Sequence, residues 1–131
     1  MTRRELHELG ELQRAVIEVL WGLGEGTVND VRGALRREEL AYTTILTVLQ
    51  KLQKAGWVDH RKEGRSYVWR AAESREAVGR SSIGKFVDRV FSGSPRVALE
   101  HLLEDDRLDS ADLEALQQLI DAKRRGKEEA R

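Results

Sequence analysis

The stretch from Leu40 to Gly56, LAYTTILTVLQKLQKAG, constrains the fold more than any other segment of this chain. Its apolar residues recur at helical spacing, which predicts a helix with one buried face: Ile45, Val48, Leu49 and Leu52. The opposite face begins with hydroxyl and amide groups and ends with a basic group: Thr43, Thr47, Gln50 and Lys54. Gly56 can take the left-handed conformation that ends many helices. Such a face can meet base edges in a DNA major groove, and it can also be an ordinary solvated, Thr-rich surface.

Two further helices are predicted before this one. The first covers residues 9–23, and its buried face is expected to comprise Leu9, Leu12, Val16, Ile17, Val19, Leu20, Trp21 and Leu23. Thr27 is expected to cap the second helix, with Asp30 in the capping-box position. The inward positions of that helix are Val28, Val31, Ala34 and Leu35, and a short link through Glu38 and Glu39 follows. Two short helices before a third that ends at a glycine form the order of a helix-turn-helix.

After Gly56 the hydropathy period changes from 3.6 to 2, which predicts a β-hairpin. Residues 57–61 and 66–70 are the expected strands, and Gly64 lies in the turn between them, where a positive φ is easily adopted. Arg61, Lys62 and Arg65 are expected to cluster at its tip. A basic hairpin directly after a DNA-reading helix is typical of a winged helix, whose wing contacts phosphate or the minor groove. Charges on a solvated hairpin can also serve only to prevent edge-to-edge aggregation.

The charge distribution favours nucleic acid, although the formal net charge is zero. Residues 1–72 carry 12 basic and 10 acidic side chains, and residues 73–131 carry 11 and 13. Within residues 41–72 the ratio is 6 basic to 2 acidic. The positive potential is therefore local, as a phosphate-facing surface requires.

The remainder of the chain predicts three short amphipathic helices, at about residues 74–91, 96–104 and 109–123. Such helices are too short to bury their apolar faces alone. We expect a second copy of the chain to cover them, and the alternative is that they fold back onto the N-terminal domain of the same chain. The expected dimer interface comprises Phe86, Val90, Phe91, Leu99, Leu102, Leu113, Leu116 and Leu119. The expected domains are residues 1–72, residues 73–125 and a polar tail, residues 126–131.

The sequence offers no residues for enzymatic chemistry. It has no cysteine, and its three histidines, His7, His60 and His101, have neither the spacing of metal ligands with one another nor carboxylates at such a spacing. His60 is interpreted as a surface or phosphate-proximal side chain. No cofactor is expected. The lack of an apolar leader and of any membrane-length apolar run predicts a soluble cytoplasmic protein without a membrane partner.

Residues 40–71, LAYTTILTVLQKLQKAGWVDHRKEGRSYVWRA, resemble the DNA-reading helix and wing of the penicillinase-repressor (BlaI/MecI/CopY) family of winged-helix regulators. The opening LGELQRAVIEVLW, the segment FVDRVF and the terminal LDSADLEALQQLI are similar to the family as well, in the same order. The resemblance covers about residues 9–123. It implies a homodimeric repressor of a palindromic operator, with the C-terminal helices forming the dimer.

Carried onto this sequence, the resemblance implies a set of DNA contacts and one route of regulation. The implied DNA-binding residues are Tyr42, Thr43, Thr44, Leu46, Thr47, Gln50, Lys51, Lys54, Arg61, Lys62 and Arg65. In resistance-gene members of the family, a regulatory protease relieves repression by cutting the C-terminal part. Staphylococcal-type members are cut at an Asn-Phe bond, whereas the aligned pair here is His101-Leu102, so this chain departs from that pattern. The copper-responsive branch uses C-terminal cysteines, and this chain has none.

The sequence therefore predicts a mainly α protein: a winged helix-turn-helix domain, with three helices and a β-hairpin wing, followed by a three-helix dimerisation region. The predicted function is sequence-specific repression of transcription on double-stranded DNA. The alternative is a winged-helix protein-interaction module without specific DNA binding. Scaffold modules of that kind tend to lose the basic and hydroxyl face of the third helix, and the local charge of residues 41–72 favours DNA.

Overall fold

The computed structural model describes residues 5–37 and 39–130. The predicted link residue Glu38, residues 1–4 of the expected N-terminal domain and residue 131 of the expected tail lie outside the described residues. The chain forms two compact units, Met1–Lys85 and Phe86–Arg131. The division falls inside a helix and not at the expected boundary after residue 72, because Val78 of that helix is buried in the core of the first unit.

The helices of the first unit follow the predicted order. They are a 3-10 helix at Leu6–Glu8, α1 at Glu11–Leu23, α2 at Val28–Leu35, α3 at Tyr42–Lys54 and the first turns of α4, which covers Arg75–Val90. The predicted cap of α2 is confirmed, since the Thr27 side chain accepts from the Asp30 backbone N–H at 3.1 Å and the Asp30 carboxylate accepts from the Thr27 N–H at 3.0 Å. The predicted stop of α3 is confirmed by a φ of 88° at Gly56.

The core of the first unit lies between the three helices and the hairpin. Its fully buried side chains include Val16, Ile17, Leu20, Val31, Ile45, Leu49, Leu52, Trp57, Val58 and Val78. Two residues predicted to face inward do not. Leu23 is 46% exposed, because α1 ends at this residue and Gly24, with φ 84°, turns the chain away. Ala34 is exposed near the end of the short α2.

The wing belongs to a three-stranded antiparallel sheet in the order β1-β3-β2. Strand β1 is Glu25–Gly26, β2 is Val58–Glu63 and β3 is Ser66–Ala71. The two long strands form the predicted hairpin, with Glu63 opposite Ser66 and Gly64 in the turn at φ 63°. The short β1 is not predicted by the sequence, because two residues are too few to show an alternating pattern.

Trp21 attaches the start of α4 to α1. Its indole N–H donates to the backbone carbonyl of Glu73 at 2.9 Å, and the Arg75 guanidinium lies 5.0 Å from the centre of the ring. Arg75 also pairs with Glu18 of α1 at 2.6 Å. These contacts, together with buried Val78, explain why the first unit extends beyond the hairpin.

The second unit contains the end of α4, α5 at Pro95–Leu103 and α6 at Ser110–Glu129. The predicted break before α5 is confirmed, with Ser92 and Gly93 at positive φ, Ser94 as the N-cap and Pro95 in the first turn. Asp109 caps α6. Helix α6 continues to Glu129 and therefore includes most of the expected polar tail, because the Lys, Arg and Glu residues there are good helix formers.

The apolar side chains of the second unit are mostly exposed in the single chain. Among the described residues of this unit, Ala98 is the hydrophobic residue that is buried, with 8% of its surface exposed. The large exposed ones are Phe86, Val90, Leu99, Leu102, Leu103, Leu113, Leu119 and Ile120. Phe91 and Leu116 are half-buried. No helix among the described residues is long and apolar enough to cross a membrane.

A pair of substitutions in α1 tests this core. We expect Leu20→Ala to lower the free energy of unfolding by about 2–5 kcal/mol, since Leu20 is fully buried. The matched change Leu23→Ala should cost less than about 1 kcal/mol, because that side chain is largely in solvent. Urea unfolding of the two variants measures both values. Equal losses would place Leu23 in the core after all.

Candidate nucleic-acid interface

Helix α3 presents a continuous polar face to solvent because its other face is buried. Ile45, Leu49 and Leu52 have no exposed surface, so the side chains on the far side of the helix must point outward. Those exposed side chains are Thr43, Thr44, Thr47, Gln50, Lys51 and Lys54. Tyr42 is exposed at the first turn and Leu46 is half-buried. The residues expected on the DNA-reading face of α3 therefore do lie on one surface.

The hydroxyl of Thr47 has a defined hydrogen-bond direction. It donates to the backbone carbonyl of Thr43, one turn earlier, at 2.9 Å. Since its hydrogen is used within the helix, the oxygen is left to accept from outside. In the major groove the amino groups of adenine and cytosine are the available donors, and the Thr47 methyl group can contact thymine.

The wing does not gather its three basic residues on one face. Successive residues of a strand point to opposite sides of the sheet. His60 pairs across the hairpin with buried Trp69, so His60 and Lys62 lie on the face that is directed toward the helices. Arg61 lies on the opposite face. All three residues lie at or next to the tip of the hairpin, but Arg61 and Lys62 point to opposite faces of the sheet.

Arg61 is also engaged by carboxylates. Its guanidinium donates to both oxygens of Glu25, at 2.6 and 2.9 Å, and to Glu63 at 3.0 Å. The hydrogen bonds from Arg61 lower the pKa of Glu25, and the two carboxylates raise the pKa of Arg61 above its ordinary value. Glu25 lies on β1 and Arg61 on β2, so this ion pair links the two outer strands of the sheet across β3.

Four other cationic side chains on α3 and the wing are exposed and could contact an anion. Lys51 and Lys54 on α3, Lys62 on β2 and Arg65 in the turn are exposed. None of them forms an ion pair with another described residue. These four side chains supply local positive charge on this side of the domain. Of the other two basic residues within 41–72, Arg61 is paired and Arg70 lies on the same face of the sheet as Arg61.

A groove of about 580 Å³ runs between α3, the start of α2 and the wing. Its lining is polar and aromatic, with Thr27, Asn29, Tyr42, Leu46, Gln50, Gln53, His60, Arg65, Ser66, Tyr67 and Trp69 among its residues. The groove joins the exposed polar face of α3 to the turn of the wing.

One side-chain contact crosses this groove. The Nδ1 atom of His60 lies 2.6 Å from Oε1 of Gln53 on α3. The His60 ring also packs against Tyr67 and Trp69, with ring centres 5.0 and 4.6 Å away. Sequence reasoning placed His60 at the surface and did not single out Gln53. No sequence signal joins them, because residues on a helix and on the following strand meet only through the tertiary fold.

Among the described residues, no three His, Asp or Glu side chains are grouped so as to hold a metal ion.

Comparisons with known proteins show the family to which this chain belongs. A family model described as the penicillinase repressor matches residues 9–122. The transcriptional regulator BlaI of Mycobacterium tuberculosis is 38% identical over 111 residues, which cover 82% of this chain and 80% of that protein. The penicillinase repressor of Bacillus licheniformis is 24% identical over 127 residues, covering 96% of this chain and 99% of the relative.

Solved structures with similar folds include winged-helix domains. The solution structure of the DNA-binding domain of the repressor BlaI has a TM-score of 0.47 and 26% identity, covering 55% of this chain and 89% of that one. A homodimeric winged helix-turn-helix domain from Mycobacterium bovis has a TM-score of 0.46 and 28% identity, covering 76% of this chain and 80% of its own. The predicted fold class, mainly helical with a small antiparallel sheet forming a wing, is confirmed.

The different surroundings of two arginines give a testable contrast. Arg65→Ala should make the plot of log K against log salt shallower by about one unit, because one phosphate contact is lost. Arg61→Ala should change this slope much less, since Glu25 and Glu63 already neutralise that guanidinium. Titration of random-sequence duplex DNA at several salt concentrations measures both slopes.

Equal changes in the two variants would mean that Arg61 leaves its carboxylates when DNA binds. Glu25→Gln tests the same point, because it removes a carboxylate partner of Arg61, and the slope should stay unchanged if Arg61 faces away from the DNA.

Proposed function

This chain belongs to the penicillinase repressor family, whose members are transcriptional repressors and not enzymes, and on that premise we propose that it represses transcription as a homodimer bound to a palindromic operator. The proposed site of action is the cytoplasm, where the operator DNA is. In each protomer, α3 reads bases in the major groove and the wing contacts the neighbouring backbone.

The exposed face of α3 is the observation that carries this proposal. Thr43, Thr44, Thr47 and Gln50 offer exposed hydroxyl and amide groups, and such groups are suited to base edges. Lys51 and Lys54 follow toward the end of the same helix. Tyr42 and Leu46 flank the reading face on the side of the groove.

The proposed backbone contacts of the wing are Lys62 and Arg65. Both are exposed, and neither is paired with a described carboxylate. Arg61 is left out of the proposed contact set, because it lies on the other face of the hairpin and is held by Glu25 at 2.6 Å. Its proposed role is to hold β1 against the wing through the ion pair with Glu25.

The homodimer is supported by the unpartnered apolar surface of the second unit. Six of the eight residues expected at the interface are exposed in the single chain, Leu119 most of all at 66%. Among the described residues of this unit one small side chain, Ala98, is buried, so the unit has no large apolar core in the single chain. Pairing with an identical unit about a two-fold axis would bury these side chains and present two α3 helices to half-sites about 34 Å apart, or a multiple of that distance.

Proteolytic relief of repression is proposed only for the second unit, where cleavage would disrupt dimerisation. The His101-Leu102 bond lies inside α5, Pro95–Leu103. A peptide bond within a helix is cut after local unfolding, so cleavage there requires α5 to open first.

Substitution of Thr47 tests base reading. Thr47→Ala should weaken operator binding by about 1–3 kcal/mol and leave binding to random DNA nearly unchanged. Thr47→Val keeps a methyl group and removes the acceptor oxygen, so a loss of the same size would assign the effect to the hydroxyl group. Fluorescence titrations with the operator from the upstream region of the protein's own gene provide the measurement. Equal losses on operator and random DNA would exclude base reading by this face.

Substitution in α6 tests the dimer. Leu119→Asp should convert the full-length chain to a monomer at micromolar concentration, because it places an unpaired charge in the proposed interface. Gln118→Asp is the matched control, since residue 118 lies about 100° around the helix from residue 119. Sedimentation velocity gives the oligomeric state, and a binding titration of the same samples gives the operator affinity.

If the unsubstituted chain sediments as a monomer, the second unit has another role. If it dimerises but binds no duplex with a preference for sequence, the protein-interaction module becomes the better interpretation.

A further inference from the structure

The tip of the wing extends beyond the last residues that anchor the hairpin in the core. Trp57, Val58 and Trp69 are buried, whereas every residue from Asp59 to Tyr67 is exposed. An exposed two-stranded ribbon has few contacts to fix its angle to the rest of the domain. An interaction that fixes this angle therefore also fixes the positions of the proposed phosphate contacts in the wing.

The contact between His60 and Gln53 is such an interaction. Among the side-chain hydrogen bonds between described residues, it is the one that links α3 to the hairpin, with Nδ1 and Oε1 2.6 Å apart. A carboxamide oxygen only accepts, so Nδ1 of His60 donates. The imidazole ring is held on its other sides by the edge-on ring of Tyr67 and by buried Trp69. The bond therefore holds Gln53 of α3 against an imidazole ring that packing already positions.

This hydrogen bond lies between the two parts of the proposed DNA interface, the polar face of α3 and the wing cations. Gln53 lies one turn after Gln50 on the same side of α3. His60 lies two residues before Lys62 on the same face of β2, and the turn with Arg65 follows. Fixing His60 against Gln53 thus fixes the distance between the base-reading helix and the wing cations.

We propose that His60 and Gln53 are positioning residues for DNA binding, which hold the wing at the angle to α3 at which Lys62 and Arg65 contact phosphate while α3 occupies the major groove. This role rests on the proposed function. It requires no contact between His60 and DNA. Loss of the bond should therefore act through the cations of the wing.

The salt dependence of DNA binding tests the proposal, because His60→Leu removes the hydrogen bond without removing a wing cation. We expect operator binding to weaken about five- to tenfold, and the plot of log K against log salt to become shallower by about one unit, as if a phosphate contact had been deleted. A loss of local packing alone would not alter the number of released counterions.

His60→Asn is the matched control. The amide nitrogen of Asn is attached at the same side-chain position as Nδ1 and can donate to Gln53, so this variant should recover most of the slope and affinity. Because Leu and Asn are both uncharged, their difference excludes an effect of imidazole charge. Gln53→Leu should reproduce the loss from the helix side, and the double variant His60→Leu/Gln53→Leu should lose no more than either single one.

A third comparison uses the cations themselves. In a Lys62→Ala/Arg65→Ala background, adding His60→Leu should leave the slope unchanged, since the contacts that the bond positions are already absent. An unchanged slope in both single Leu variants, or additive losses in the double variant, would overturn the proposal. If His60→Leu does not fold, as circular dichroism will reveal, Gln53→Leu decides the matter alone. Failure of the unsubstituted protein to select an operator would instead refute the proposed function.

Discussion

The packing of one face of α3 is the constraint on which the rest of the structure depends. Ile45, Leu49 and Leu52 are completely buried against α1, α2 and the hairpin, and this fixes the rotation of the helix about its axis. The polar side that carries Thr43, Thr47 and Gln50 must then face solvent. The proposed reading surface is a direct consequence of the core. The buried side chains of α3 make no contact with a ligand, but their packing determines which side chains of the helix are exposed to one.

The distribution of charge over the wing depends on the pleat of the sheet. Neighbouring residues in a strand point to opposite faces, so Arg61 and Lys62 cannot serve the same surface. Arg61 instead meets Glu25, a residue far away in sequence, at 2.6 Å. A count of basic residues in residues 41–72 includes Arg61, although its charge is locally cancelled. The positive potential available to phosphate therefore comes from fewer side chains than the composition indicates.

The two units solve the problem of apolar burial differently. The first unit forms a core within one chain. This core includes Val78 from the segment after the hairpin, and the hydrogen bond between Trp21 and Glu73 attaches the same segment to α1. The second unit leaves Phe86, Leu99 and Leu119 exposed. Helix caps such as Ser94 and Asp109 define where its helices begin, yet caps add little to packing. Its stability is expected to depend on a partner, as in obligate oligomers.

The sequence by itself determined the order of the helices, the Thr27 cap, the glycine stop of α3 and the hairpin, because each is a local pattern of periodicity, capping or turn chemistry. It also determined the exposed polar face of α3, since a helix with one apolar stripe has one opposite side. Only the tertiary structure decided which wing cations are free, that β1 completes the sheet and that His60 meets Gln53. Those features join residues that are distant in sequence or on different elements, and they form only when the core brings the elements together.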